Sequence, residues 1–324
     1  MRILYYNCFA GISGDMNLGA LIDLGVDAGY LSAELEKLGI EGFRLSVKRD
    51  QRKGVYGTKA DVVIKNPKKE KHRHWQHIEE IICKSTLPEP VQELALRIFD
   101  RVAEAEAKVH NCAKEKVHFH EVGALDSIVD IVGAAICLYS LNVDKVMSSS
   151  VQLGSGTVKC AHGIMPVPAP ATAEIVKNIP VKVGLVTYEA TTPTGAAILA
   201  ATVDEFTDAH RFRIIRTGCG IGTIDKEIPN ILRVFLCEDD EETQDVATEE
   251  VSLLECNIDD MNPEHYDFLL ERLLQAGAND AWMTPVIMKK SRPAIQLSVL
   301  CGPSDVEEME EILFTHSTSI GIRE

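Results

Sequence analysis

Between His118 and Asp130 the chain reads HFHEVGALDSIVD. Two imidazoles stand two residues apart, a glutamate follows, and two aspartates then sit four apart inside a run of Leu, Ile and Val. On a helix Asp126 and Asp130 share one face. Leu125, Ile128, Val129, Ile131 and Val132 surround them, and a helix apolar nearly all round is a buried one. Carboxylates there are costly unless paired, hydrogen-bonded or bound to a cation. Two readings follow: the aspartates cap backbone or meet Arg and Lys from elsewhere, or His118, His120, Asp126 and Asp130 form a metal or polar-ligand site at a helix N-terminus. Imidazole suits nickel, zinc or copper, and carboxylate suits magnesium or manganese.

Other stretches carry the same ambiguity. KHRHWQHIEE offers His72, His74 and His77, either a loose metal-gathering tract or a solvated loop. GSGTVKCAHGIMPVPAPAT combines Ser155, Thr157, Lys159 and His162 with glycines that permit close backbone approach, so it can meet an anion. It lacks the G-K-[ST] ending of a P-loop. TYEATTPTGAA places Glu189, Thr191 and Thr192 before a helix N-terminus, fit for a phosphate or for a simple cap. AGISGDM lies between a strand and a helix, with Asp15 where the helix dipole favours it. G-x-G-x-G in GCGIGTIDKEIPN is a poor dinucleotide fingerprint, because the spacing is wrong and no helix follows. ECNIDDMNPEH and MKKSRP supply Asp259, Asp260, Lys289, Lys290 and Arg292, the carboxylates and cations a metal–triphosphate site needs. The competing reading is a helix cap at Asn262 and a solvated hairpin.

These groups need elements to hold them. RILYYNCF reads as a first core strand, and the glycine turn and MNLGALIDLG make it an α/β unit. A short helix is expected at 31–38 and a strand pair over FRLSVKRDQRKGVYGTKADVVIK. Residues 78–108 read as helical, broken at Pro88 and Pro90. Further helices are expected at 171–178 and from Thr194. CEDDEETQDVATEE, residues 237–250, is acidic, almost free of bulky apolar groups, and reads as a linker. After it comes β-α-β-β-α, with Ser304 as a helix N-cap and Gly277 as a helix stop, the order of a ferredoxin-like unit without its last strand. The fold class is therefore α+β/α/β: a mixed α/β domain over 1–236, the linker, and a partial ferredoxin-like α+β domain over 251–324.

Composition bounds the function. The 324 residues carry a net charge of −16, which argues against nucleic acid as a main partner. Nine scattered cysteines without a C-x-x-C fit reduced thiols in a cytoplasmic protein rather than a disulfide framework. No apolar run is long enough to suggest a membrane span, and MRILYYNCFAG does not look like a signal peptide.

Taken together, AGISGDM, FHEVGALDSIVDIVG, GSGTVKCAHGIMPVPAPAT, TTPTGAAIL, CNIDDMNPEHYDFLLERLLQAGANDAW and MKKSRPAIQLSVLC resemble the LarC-type nickel-insertion proteins. The resemblance runs from residue 1 to residue 324. It implies a nickel chelatase of the lyase class that inserts Ni2+ into pyridinium-3,5-bisthiocarboxylic acid mononucleotide, using CTP with Mn2+ or Mg2+. The product is the nickel-pincer cofactor of lactate racemase-type enzymes. The first part of such chains is linked to nickel, and the second to CTP and homo-oligomer formation, with transfer of the cofactor to an apo lactate racemase-type enzyme. On that basis His118, His120 and Glu121 are expected as metal ligand or general base, since the nickel–carbon bond requires loss of a ring proton. Asp15, Ser155, Thr157, Lys159, His162, Thr191 and Thr192 are expected to bind substrate, and Asp259, Asp260, Lys289, Lys290 and Arg292 the metal–CTP. Family chains usually continue past the GIR motif, so the last strand, the CTP site and the oligomer interface are expected to be incomplete. The alternatives are a non-catalytic nickel-binding chaperone and a nucleotide-dependent hydrolase with zinc or manganese.

Overall fold

The computed structural model describes residues 1–65, 73–117, 119, 124–160, 163–239 and 250–324. His72, His118, His120, Glu121 and His162 lie outside them, as does most of the acidic stretch. The chain divides into two compact units, Met1–Glu241 and Glu242–Glu324.

The first unit contains β1 (Arg2–Asn7), α1 (Gly14–Leu24), α2 (Ala28–Glu36), β2 (Phe43–Arg52), β3 (Val55–Ile64), α3 (Trp75–Lys84), α4 (Glu89–Val109) and α5 (Leu125–Leu141). It continues with β4 (Lys145–Ser148), β5 (Val151–Gln152), β6 (Thr157–Cys160), β7 (Gly163–Pro166), α6 (Pro170–Ile175), β8 (Val181–Lys182), α7 (Pro193–Thr202), β9 (Glu205–Phe206), β10 (Phe212–Asp225) and β11 (Pro229–Asp239). Seven strands form one mixed sheet in the order β2-β3-β10-β11-β1-β4-β9. The parallel neighbours are β1 with β4, β4 with β9, and β3 with β10.

Period-two alternation decides which face of β1 meets which core. Leu4, Tyr6 and Cys8 enter the main core with α1, α4, α5 and α7, whereas Ile3 and Tyr5 join Met147 and Cys237 on the opposite face. G-x-G-x-G turns out to be a packing device. A Cβ on Gly218 would stand 2.2 Å from the Ala20 carbonyl oxygen, and one on Gly220 would stand 1.8 Å from that of Met16. Two alternate glycines on β10 therefore let α1 lie directly on the sheet. Asp23 fixes that helix further. It accepts hydrogen bonds from Thr58 Oγ1 at 2.8 Å and from the Cys219 amide at 2.9 Å, and pairs with Arg49.

Several boundaries differ from the sequence expectations. The break in the long helical stretch falls at Ser85–Pro88, and Pro90 lies inside the first turn of α4, where a missing N–H costs nothing. The helix expected at 171–178 stops at Ile175, and Asn178 turns left-handed at φ 64°. The acidic stretch begins as sheet, because Cys237 and Glu238 pair with Ile3 and Arg2.

The second unit holds β12 (Ser252–Ile258), α8 (His265–Gln275), β13 (Asp280–Met288), β14 (Arg292–Cys301) and α9 (Val306–His316). Its sheet is antiparallel in the order β12-β14-β13, so β14 lies between the two strands that α8 connects. Leu254, Cys256, Leu269, Leu273, Leu297, Val299, Met309 and Leu313 fill the core. Gly277 follows α8 at φ 104°, the conformation glycine tolerates best. Ser304 is not the N-cap of α9: a 3-10 turn at Pro303–Asp305 intervenes and the cap position is Asp305. At the outer edge of β12 a single-residue bridge stands where the sequence offers no strand: Arg323 exchanges both backbone hydrogen bonds with Glu255, at 2.8 and 2.9 Å.

Candidate functional site

Three helix N-termini meet at one cleft of about 420 Å³ in the first unit. Ser13, Gly14 and Asp15 come from α1, Asp126, Ser127 and Asp130 from α5, and Thr192, Pro193 and Thr194 from α7; Asp61, Val62, Glu189 and Thr223 complete the wall. Backbone pairing brings two of the helix ends together. Ile12 bridges Thr191, the Thr192 amide donates to the Ile12 carbonyl at 3.1 Å, and Thr192 Oγ1 caps α7 by accepting from Gly195 at 3.2 Å. Thr191 is buried and donates to the Gln152 carbonyl at 2.7 Å, so it builds the wall without lining it.

The third end arrives through Gly14. A Cβ there would stand 2.1 Å from Asp130 Oδ2, so the Asp130 carboxylate occupies the space beside the first turn of α1 that any other residue would fill. One turn further along, Leu18 fits against Gly133 of α5. The spacing Gly14/Leu18 on one helix and Asp130/Gly133 on the other is thus a single packed seam.

Asp130 is the least compensated group in the cleft. Its Oδ1 is sealed from solvent and has no hydrogen-bond partner. Burial, and then the charges of Asp15, Asp126 and Asp61, push its carboxyl well above the usual aspartate range. The neighbouring acids are better served. Ser13 Oγ donates to Asp15, and Asp126 accepts from the Ser127 amide at 2.8 Å. Asp15 and Asp126 both lie in helix first turns, where the dipole is favourable. Lys59, on β3, reaches Asp61 at 3.0 Å, Asp15 at 3.6 Å and Thr223 Oγ1 at 3.2 Å. Among the described residues the lining contains five carboxylates and no basic side chain. Such a cleft attracts cations and repels anions. The described residues alone do not contain three His, Cys, Asp or Glu side chains grouped to hold a metal ion. No cysteine is among the described residues that line the cleft, and burial pushes the nearby core thiols of Cys8 and Cys137 up to about 12.

Of the residues singled out from sequence, Asp15, Asp126, Asp130, Glu189 and Thr192 line this cleft together. Ser155, Thr157 and Lys159 do not. Ser155 Oγ donates to the Val186 carbonyl at 2.7 Å, and Thr157 and Lys159 are both exposed on the β6–β7 hairpin. His74 occupies the N-cap position of α3 and His77 is exposed in its first turn; neither lines the cleft. Sequence reasoning missed Asp61 and Lys59. Their i,i+2 spacing on a strand was visible, and it puts both side chains on one face. It did not say what that face would meet.

In the second unit Arg292 Nη1 meets Asp259 Oδ2 at 3.1 Å, and Thr318 Oγ1 donates to Asp260. Lys289 and Lys290 form the β13–β14 turn, with Lys290 at φ 62°. Asp259 also edges an apolar cleft of about 470 Å³ with Met261, Tyr266, Val286, Ile287 and Ile295.

Comparisons with known proteins point one way. A family model described as nickel insertion protein matches residues 4–324. The chain is 52% identical to the pyridinium-3,5-bisthiocarboxylic acid mononucleotide nickel insertion protein of Clostridium acetobutylicum, with 100% of this chain and 84% of that protein covered. It is 50% identical to the protein of the same name from Clostridium kluyveri, covering 100% and 83%. A solved structure described as LarC2, the C-terminal domain of a cyclometallase involved in the synthesis of the NPN cofactor of lactate racemase, shares 38% identity over 22% of this chain and 51% of that one, with a TM-score of 0.22.

Proposed function

The chain belongs to the nickel insertion protein family, and from that premise we propose that it inserts Ni2+ into pyridinium-3,5-bisthiocarboxylic acid mononucleotide, holding the metal in the acidic cleft of the first unit. Nickel is here a substrate. The observation that carries the reading is Asp130, whose Oδ1 is sealed from solvent without a hydrogen-bond partner and whose neighbours Asp15, Asp126 and Asp61 are all acidic. A divalent cation is the ligand that makes such a group favourable. Asp126 and Asp130 are the assigned oxygen ligands. His118, His120 and Glu121, which precede α5 in the chain, supply the remaining donors and the base that takes the ring proton. Oxygen and imidazole donors suit a metal that must be handed on, because they hold nickel less firmly than a thiolate cage would.

CTP with Mn2+ or Mg2+ belongs, in this reading, to the second unit. Asp259 and Asp260 face the cation, while Arg292, Lys289 and Lys290 meet the phosphates. The Asp259–Arg292 contact supports this by placing an acceptor for the cation beside a fork for phosphate oxygens. The sheet order and the Arg323–Glu255 pairing support a ferredoxin-like unit, which we assign to homo-oligomer formation. Nine free thiols fit a reducing cytoplasmic setting, and no described helix is long and apolar enough to cross a membrane.

The test is incubation with Ni2+, the bisthiocarboxylic nucleotide, Mg2+ and CTP, following the absorbance of the nickel product with and without CTP. Product that forms only with CTP, and that is lost in His118→Ala and Asp130→Asn, is the expected result. Nickel retained on the protein with no CTP consumed and no product would replace this reading with that of a nickel chaperone.

A further inference from the structure

We propose that Lys59 is a resident counter-ion of the cleft, a positioning residue that pairs with Asp15 and Asp61 and that an incoming divalent cation must displace. The inference rests on the reading of the cleft as the nickel-handling site.

The geometry is that of a built-in substitute for a metal. Lys59 and Asp61 are two apart on β3 and therefore project from the same face of the sheet. The Lys59 side chain is only 8% exposed, while its partners Asp15 and Asp61 are 26% and 36% exposed and line the cleft. The cation thus reaches the cleft from within the protein, and the carboxylates it holds present their free side to the opening. Thr223 Oγ1, on the neighbouring strand β10, takes a third direction around Nζ at 3.2 Å. Lys59 is consequently held by Asp61 and Thr223 at hydrogen-bond distance and drawn to Asp15 as a longer ion pair. It neutralises one of the five acidic charges of the wall and leaves Asp130 without a hydrogen bond to Oδ1.

This arrangement has a consequence for the transfer of metal. A cation entering the cleft gains Asp130 and Asp126 directly, but must compete with an ammonium for Asp15 and Asp61. The competition holds nickel affinity down. When nickel leaves with the nucleotide, the ammonium restores the two pairs, so the emptied site is not left with uncompensated charge on both. A merely structural ion pair predicts the opposite behaviour on removal: the cleft loosens and nickel binds more weakly.

The experiment is titration of Ni2+ into the full chain by calorimetry, for the wild type and for Lys59→Met, Lys59→Gln, Lys59→Arg and Asp130→Asn. The two neutral variants are used together so that a folding defect in one does not stand alone, and melting temperature is recorded for each. Lys59→Met and Lys59→Gln are expected to bind Ni2+ about tenfold tighter, because a like charge at contact range has gone. Lys59→Arg is expected to stay within about threefold of the wild type, since it keeps the charge. Single-turnover transfer of nickel to the nucleotide is expected to slow in the neutral variants as affinity rises. Unchanged or weaker nickel binding in both neutral variants, with Asp130→Asn still weakened, overturns the role of Lys59 and leaves the cleft as the nickel site. Wild-type affinity in all of them, Asp130→Asn included, overturns the cleft reading and the Lys59 inference with it.

Discussion

Two clefts of this protein, one in each unit, treat charge in opposite ways. In the first unit five carboxylates surround about 420 Å³, and the one most deeply placed, Asp130, has no hydrogen-bond partner for Oδ1. In the second unit the cleft of about 470 Å³ is walled by Ile, Val, Met, Pro and Tyr, and its one carboxylate, Asp259, is paired with Arg292 at the surface. An unneutralised buried charge is a cost that the fold carries for a ligand of opposite sign. An apolar wall with a paired charge at its rim is the commoner design for a flat organic ring with a polar tail. Under the proposed assignment, metal and nucleotide make different demands on the fold: the first is given helix ends and a buried acid, the second sheet side chains and a surface ion pair.

The largest effect that would break this contrast is at Asp130. Asp130→Asn should reduce nickel insertion about 100-fold, while the melting temperature at neutral pH stays level or rises, because Asn keeps the shape and carries no cost of ionising a buried group. Parallel loss of activity and melting temperature would instead make Asp130 a structural residue.

Gly14→Ala probes the same seam from the other helix. Its Cβ would collide with the Asp130 carboxylate, so a destabilisation of about 1–3 kcal/mol is expected, together with impaired nickel insertion. Chemical denaturation and the insertion assay measure the two separately. A variant with wild-type values in both would show that the seam is not as tight as its distances.

The pH dependence sharpens the comparison. The folded-state pKa of Asp130 is raised above the unfolded value of ~4. The folded protein therefore holds that proton more firmly than the unfolded chain. The resulting stability is fully present below the unfolded value and is lost as pH rises through the raised folded value. Metal-free protein in chelator should lose melting temperature over this interval, Asp130→Asn should lose less, and added Ni2+ should restore part of the loss while releasing protons. Identical pH profiles for wild type and Asp130→Asn would count against the assignment.

The smallest effect is expected in the second unit. The Arg292–Asp259 pair is largely exposed on the arginine side, so Arg292→Ala should change stability by less than ~1 kcal/mol. The apparent affinity for CTP should nevertheless fall, read from product formation against CTP concentration. Unaltered CTP dependence would remove Arg292 from the nucleotide site.

Much of the first cleft was legible in the chain. Asp126 and Asp130 announced themselves as acids at i,i+4 in an apolar helix, although Asp126 proves exposed and only Asp130 carries a sealed oxygen, and Asp15 announced itself as an acid in a helix first turn. Thr192 before Pro193 marked the start of α7. The anion-binding appearance of GSGTVKCAH was equally legible, but in the structure its residues 157–160 pair with 163–166 as a hairpin. The hairpin sets these residues apart from the acidic cleft, a placement that local composition does not encode.

The sequence by itself determined the elements and the faces they bury, because those follow from the 2.0 and 3.6 periodicities and from glycine, proline and capping residues acting over a few positions. It also determined that buried carboxylates required a partner. Only the tertiary structure decided which partners they have. Lys59 and Asp61 come from β3, Asp15 from α1 and Asp130 from α5, and their meeting depends on Gly218 and Gly220 letting α1 settle on the sheet and on Gly14 making room for a carboxylate. Those are close approaches between residues up to some 200 positions apart, and no local pattern encodes a distance across that separation.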